Sequence, residues 1–503
     1  MRHHDVTAVE TYLKLEKYNT ALTDFDKVLE LKLYDWHVLR LRGETYQKLK
    51  KYNEALTDFN DLLELEPNNV HNLEIINEIL ELEPNNTLVL RLRGQTYQKL
   101  ERHNEALMDF NKILKTNTDD ISVLNLIIET EKSKIKSIND TKTQKKTESR
   151  IESSESINWI PYSQFKNIKY IAEGGFGVVN SAIWVKDEET KIKVALKNLH
   201  NSKDMTDDFL KEVISYGITS SDDFILKCYG ITKDHADNNS MVMEFAEDGS
   251  LHWDLMRNFD RINWQTKLER LYCIASGIEQ IHNNNLIHRD LHSGNILMGV
   301  DGILGSIRIA DLGLCRNIDN LTNNVYGIIP YVAPEIFGES SYSQASDVYS
   351  FGMLMWEFSS GHKPFRNRPH YSKLMCDIRG GLRPEITDDT PDVFSIFMKR
   401  CWDSNPINRP NIKEIKEKIY KWCFQGENHN QFIQAEKLRK NSVCEENSYR
   451  NYHPEAIYKS RPLNSMISLS KLMSNGCKES EEVECSHSSQ EDFEINENDY
   501  DIK

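Results

Sequence analysis

Apolar and polar positions near the start of the chain follow the spacing of short paired helices, and the pattern returns. Gly43-Glu44-Thr45-Tyr46-Gln47-Lys48-Leu49 recurs as Gly94-Gln95-Thr96-Tyr97-Gln98-Lys99-Leu100, and Glu54-Ala55-Leu56 recurs as Glu105-Ala106-Leu107. Tyr12, Ala21 and Phe25 precede Tyr46, Ala55 and Phe59 by a period of about 34 residues, which predicts stacked helix pairs. Small Gly43 and Ala55 let paired helices approach, and Pro67 ends the second helix of its pair. The array is irregular: Leu63-Glu64-Leu65-Glu66-Pro67-Asn68-Asn69 reappears as Leu80-Glu81-Leu82-Glu83-Pro84-Asn85-Asn86 after about half of that period, leaving room for one helix where two are expected. Spaced apolar residues with a polar remainder from Ile121 to Ile138 predict a closing helix.

Farther along, the informative residues are polar and come in a fixed order. Ala172-Glu173-Gly174-Gly175-Phe176-Gly177-Val178-Val179 is a glycine-rich loop whose backbone amides can approach a phosphate because no Cβ intervenes. Val194-Ala195-Leu196-Lys197 follows one strand later, then Phe209-Leu210-Lys211-Glu212 on a predicted helix. His288-Arg289-Asp290-Leu291-His292-Ser293-Gly294-Asn295, Asp311-Leu312-Gly313 and Ala333-Pro334-Glu335 complete the series. In this order and spacing the set resembles the protein kinase family, and its local motifs resemble the tyrosine-kinase-like group. The resemblance runs from about Trp159 to Cys423 and implies a two-lobed α+β domain that uses ATP and Mg²⁺.

The resemblance also assigns roles. Lys197 would contact the α and β phosphates and be held by Glu212, while Asp290 would orient the acceptor hydroxyl and take its proton. Asn295 and Asp311 would hold Mg²⁺ through hard oxygen atoms. The ATP pocket would be lined by Ala172, Gly174, Gly175, Phe176, Gly177, Val179, Ala195 and Lys197, with Met243 as gatekeeper, Glu244 and Ala246 in the hinge, and Leu297 beneath the adenine. Asp347 would steady the catalytic loop, and Arg409 would pair with Glu335. Pseudokinases generally lose the Lys, the base or the metal-binding Asp; all three are present, which favours an active enzyme over a silent scaffold.

The chain departs from the family pattern at several positions. Ala172 stands where the first glycine belongs, and Leu312 replaces the usual Phe. His292 takes the place where serine/threonine kinases usually carry Lys, and Ile328 replaces their Thr. A Ser/Thr acceptor is expected from the closest group, with Tyr the alternative. Arg289 beside the catalytic Asp suggests regulation by phosphorylation of the activation segment, where Thr322 and Tyr326 are the nearest hydroxyls.

The N-terminal pattern resembles a short tetratricopeptide array, which usually binds peptides on the concave face of its first helices. That face would display Arg40, Glu44, Gln47, Lys48, Arg91, Gln95, Gln98 and Lys99, a net basic groove for a peptide or protein partner. The expected organisation is therefore multidomain: an all-α repeat solenoid with its closing helix over 1–138, a flexible linker over 139–158, the kinase domain over 159–425, and a polar, acidic-ended disordered tail over 426–503. Residues 453–458 and 461–465 of that tail form a candidate docking segment, and the acidic end from Glu479 is expected to fold back onto the basic groove.

With a formal net charge of −16 and no basic tract joined to aromatic platforms, nucleic acid is not an expected partner. No apolar run is long enough to cross a membrane, and no signal-peptide core follows Met1. The nine cysteines are scattered without metal or disulfide spacing. A cytoplasmic protein is expected, with the nucleus as the alternative compartment.

Overall fold

The structure is a computed structural model. It describes residues 17–31, 35–65, 73, 76–77, 79–80, 83–142, 157–173, 177–187, 189–199, 207–219, 223–299, 307–317, 325–338, 340–441 and 452–474.

Among the described residues, the N-terminal region contains helices and turns and no strand. Helices α1 (Tyr18–Leu31), α2 (Trp36–Lys48) and α3 (Tyr52–Leu65) are followed by α4 (Thr87–Lys99), α5 (His103–Thr116) and α6 (Ile121–Lys142). The glycines set the helix spacing: a Cβ on Gly43 would fall 2.4 Å from the Phe59 ring, and one on Gly94 would fall 2.5 Å from Phe110. The polar packing repeats as well. Arg42 donates twice to buried Asp58 and once to Asp26, while Arg93 donates twice to Asp109 and once to Asn77. Asn77 thus takes the place before Arg93 that Asp26 takes before Arg42. Of the described residues in the half-length repeat, Leu73, Ile76, Ile79 and Leu80 are buried. Residues 66–72, inside that irregular stretch, lie outside the described residues.

Helix α6 runs past Ile138 to Lys142, so it takes the first positions of the expected linker; residues 143–156 lie outside the described residues. Next come β1 (Asn158–Trp159), β2 (Phe165–Glu173), β3 (Gly177–Val185), β4 (Lys191–Leu199), α7 (Asp207–Thr219), β5 (Cys228–Lys233) and β6 (Asn239–Glu244). Their sheet has the order β1-β5-β6-β4-β3-β2, with β1 parallel to β5 and the other pairs antiparallel.

The second lobe is largely helical. It contains α8 (Leu251–Asn258), α9 (Trp264–Asn283), β7 (Leu286–Ile287), β8 (Ile296–Met298), β9 (Ile307–Ile309), β10 (Arg316–Asn317) and β11 (Tyr326–Gly327). Helices α10 (Gln344–Ser360), α11 (Ser372–Arg379), α12 (Asp392–Cys401) and α13 (Ile412–Phe424) follow, with α10 buried along nearly its whole length. Among the described residues, no helix is long and apolar enough to cross a membrane.

Two contacts tie the parts together. Helix α6 packs on α7: a Cβ on Gly217 would fall 2.4 Å from Ile128, and Asn125 exchanges two hydrogen bonds with the backbone of Ile157. One buried apolar cluster therefore runs from Ala55 in the helical repeats into the two lobes that follow. The second contact corrects the expectation of a disordered tail from residue 426. Helix α14 (His429–Asn441) buries Phe432 and Ala435, and β12 (Arg461–Pro462) and α15 (Asn464–Ser474) bury Leu463 and Ile467. The buried apolar residues of each segment fall at helical spacing, Phe432 with Ala435 and Leu463 with Ile467, while Ile433, Leu438, Leu469 and Leu472 stay exposed. The acidic stretch expected to fold back on the groove lies outside the described residues.

Candidate active site

The pocket lining begins as one row across the sheet. Ala172 pairs with Val179, Val179 with Lys197, and Lys197 with Met241; on the neighbouring row Ala195 pairs with Met243. Strand pairing alone therefore brings five of the expected ATP-pocket residues, Ala172, Val179, Ala195, Lys197 and buried Met243, onto one patch of sheet. Gly177 opens β3, where a Cβ would strike the Asn198 carbonyl oxygen at 1.9 Å. Glu244 lies within 3.5 Å of Arg308, Ala246 accepts a turn hydrogen bond from Gly249, and Leu297 is half-buried on β8. Gly174, Gly175 and Phe176 lie outside the described residues.

Lys197 sits between two carboxylates, 2.8 Å from Glu212 on α7 and 2.9 Å from Asp311. Burial alone would lower its ammonium pKa, but Asp311 and Glu212 together raise it, so the side chain stays cationic. Asp311 responds in the opposite sense. Burial would push its carboxyl up, yet Lys197 holds it below the ordinary value and so keeps it anionic. Burial raises Glu212, with Lys197 only partly offsetting it. Asp311 adopts a left-handed backbone with φ 61°, fixed by its N–H donating to the Tyr216 hydroxyl at 2.9 Å.

The loop that carries Asp290 is held from beneath. Buried Asp347 accepts the backbone N–H groups of His288 and Arg289 and meets His282 Nε2 at 2.9 Å. Burial would raise the Asp347 carboxyl, but these hydrogen bonds and His282 hold it low. Asn295 donates its side-chain amide to the Asp290 carbonyl at 3.0 Å, which orients the amide. His292 accepts from the Gly294 N–H through Nδ1, so its Nε2 carries the proton and points at Asp290 from 3.7 Å. Where the family pattern has a Lys, this chain thus places an imidazole Nε2. Arg409 grips Glu335 with two hydrogen bonds, as the resemblance implied.

Arg289 is buried, with its guanidinium over the Tyr342 ring at 4.3 Å. Tyr326 is half-buried on β11, where its carbonyl accepts from the Tyr342 hydroxyl; Thr322 lies outside the described residues. Three supporting residues were not read from sequence. Tyr216 stands one helical turn after Glu212, a spacing that could have signalled it. His282 supports Asp347, and Glu357 accepts hydrogen bonds from both Ser293 and Tyr331. In the repeats, Arg91 bonds to Ser122 and Asp120, so one expected groove cation is already paired within the fold.

The donor set fits Mg²⁺: an anionic Asp311 carboxylate and an oriented Asn295 amide oxygen are hard ligands.

Comparison with known proteins agrees with this geometry. The family model for protein tyrosine and serine/threonine kinases matches residues 165–419, and tetratricopeptide repeat models match 36–69 and 92–120. A probable serine/threonine-protein kinase of Dictyostelium discoideum is 31% identical over 281 residues, covering 53% of this chain and 20% of its own length. A putative serine/threonine-protein kinase/receptor of Acanthamoeba polyphaga mimivirus is 32% identical over 284 residues, covering 54% and 17%. Human mitogen-activated protein kinase kinase kinase 7 is 29% identical over 265 residues, covering 51% and 41%. The chain therefore spans less than half the length of each of these relatives.

Proposed function

The chain belongs to the protein tyrosine and serine/threonine kinase family, and from that premise we propose that it transfers the γ-phosphate of ATP to a protein hydroxyl, Ser or Thr by preference. The observation that carries this reading is Lys197 held between Glu212 and Asp311, beside an Asp290 loop anchored on Asp347. Lys197 is cationic and aimed by Glu212, so it neutralises phosphate charge without reorganising during transfer. Asp290 orients the incoming hydroxyl and takes up its proton. The Nε2–H of His292 faces the same carboxylate and steadies its charge. Mg²⁺, held by Asn295 and Asp311, would supply charge neutralisation at the phosphate oxygens.

The serine/threonine preference rests on the two relatives described as serine/threonine-protein kinases, since Ile328 leaves no Thr at its position. The repeats recruit a protein or peptide partner through the face that carries Lys48 and Lys99, both exposed. The test is radiolabelled phosphate transfer by the full chain and its Asp290→Asn and Lys197→Met variants, followed by phosphoamino-acid analysis. Transfer lost in both variants, with label on Ser or Thr, is the expected result. Absence of transfer by the parent chain while ATP still binds would leave a pseudokinase scaffold; label on Tyr would overturn the acceptor assignment alone.

A further inference from the structure

Strand β11 passes beside the base: a Cβ on Gly327 would sit 3.6 Å from Asp290 Oδ1. An extended chain paired with this strand would lie beside Asp290, and in the structure that pairing edge is taken. Strand β12 pairs antiparallel with β11, Gly327 opposite Arg461 and Tyr326 opposite Pro462. The Leu463 N–H donates to the Val325 carbonyl, and the Val325 N–H donates to Asn464 Oδ1.

The flanking residues extend the contact in both directions. Upstream, the His453 N–H donates to the Arg366 carbonyl, the His370 N–H to the Glu455 carbonyl, and the Tyr458 hydroxyl to the Pro364 carbonyl. Arg461 reaches the His370 carbonyl at 2.6 Å. Downstream, α15 lies on α11, where the Ser372 hydroxyl donates to the Met466 carbonyl. Leu463 is 0% exposed and Ile467 is 5% exposed against the lobe.

We propose that residues 452–474 are a ligand, held in cis, of the surface that receives the acceptor peptide, and that a protein substrate enters only as this segment leaves. This rests on the kinase reading above. Main-chain pairing with residues 325–327 fixes the part of the segment nearest Asp290, and any extended peptide can reproduce that pairing. The Leu463 site supplies selection, so the surface takes extended peptides carrying an apolar residue there. Competition follows from tethering: the segment joins α14 through about ten residues, and short tethers hold a ligand at ~mM local concentration.

The experiment uses the full chain, dephosphorylated casein as acceptor and the double variant Leu463→Asp/Ile467→Asp, with Arg461→Ala as a milder second variant. A site free about a tenth of the time raises the apparent KM about tenfold. The double variant should therefore lower the KM for casein about tenfold and leave the KM for ATP within about twofold. Arg461→Ala should give a smaller change in the same direction, and it decides the matter if the double variant fails to fold. A synthetic peptide of residues 452–474 should inhibit the variant competitively against casein and not against ATP. Backbone amides 325–327 should exchange hydrogen faster in the variant. Unchanged KM for casein, or no inhibition by the peptide, overturns the proposal while phosphate transfer itself continues. Absence of transfer to casein or to the chain itself in every form overturns the kinase reading, and this proposal with it.

Discussion

Replacing Gly217 by Ala sets two effects of opposite sign against each other. Gly217 lies on α7, the helix that carries Glu212 and Tyr216. In a solvent-facing helix this change stabilises by about 0.5–1 kcal/mol, because glycine loses more backbone freedom on folding. Here the added methyl would stand 2.4 Å from Ile128 Cδ1, 2.9 Å from Cγ1 and 3.2 Å from Cγ2. Ile128 is β-branched and 5% exposed, so it has little room to turn away. Overpacking of this kind costs about 1–3 kcal/mol, leaving a net loss of about 1–2 kcal/mol. Ile128→Ala removes every atom in the way, so the double variant should recover most of the Gly217→Ala loss, a coupling of about 1–2 kcal/mol. The wedge also moves α7 relative to Lys197, so the KM for ATP should rise in Gly217→Ala and return toward the parent value in the double variant. Denaturant unfolding of the four proteins of the cycle, together with steady-state kinetics in ATP, measures both. A stability gain in Gly217→Ala, or additive single effects, would refute packing of α6 on α7.

Two further predictions concern buried charge. Lys267 is 0% exposed, lies 4.1 Å from the Phe259 ring centre and 4.9 Å from that of Trp264, and has its pKa lowered to about 7, first by burial and then by Arg439. An unfolded lysine keeps its ordinary 10.5, so between about pH 7 and 10.5 the unfolded chain binds more protons and stability rises with pH. Lys267→Met should flatten that slope and stabilise the chain at pH 7 by about 1–4 kcal/mol, read from unfolding midpoints at pH 7 and 9; a retained slope would place the titrating group elsewhere. Arg42→Met leaves the Asp58 carboxylate, 1% exposed, without its two hydrogen bonds, and should cost the repeats about 2–4 kcal/mol, followed by the loss of helical circular dichroism on heating.

Which parts could be read from sequence follows from what kind of constraint fixed them. Lys197, Glu212, Asp290, Asn295 and Asp311 stand out because phosphoryl transfer needs a cation, a base and hard oxygen ligands in fixed places, and few residue types supply them. Gly43 and Gly94 stand out because a phenylalanine ring occupies the space of their missing Cβ, and the array repeats that solution. Gly217 has the same relation to Ile128, yet the pair occurs once and joins distant parts of the chain, so no period marks it. Tyr216 and His282 act through single hydrogen bonds to the backbone N–H of Asp311 and the carboxylate of Asp347. Such roles leave no spacing beyond one helical turn.

The segment 452–474 was hardest to read because main-chain pairing accounts for much of its attachment, and backbone groups are the same in every sequence. Its side-chain signal reduces to a few residues such as Tyr458, Leu463 and Ile467 among polar neighbours, a density that composition alone assigns to disorder. The same sparse signal has a mechanistic counterpart. A segment bound through generic backbone contacts and a few apolar anchors is weak in isolation and is held mainly by its tether. That is the condition under which a peptide substrate using the same backbone groups can displace it.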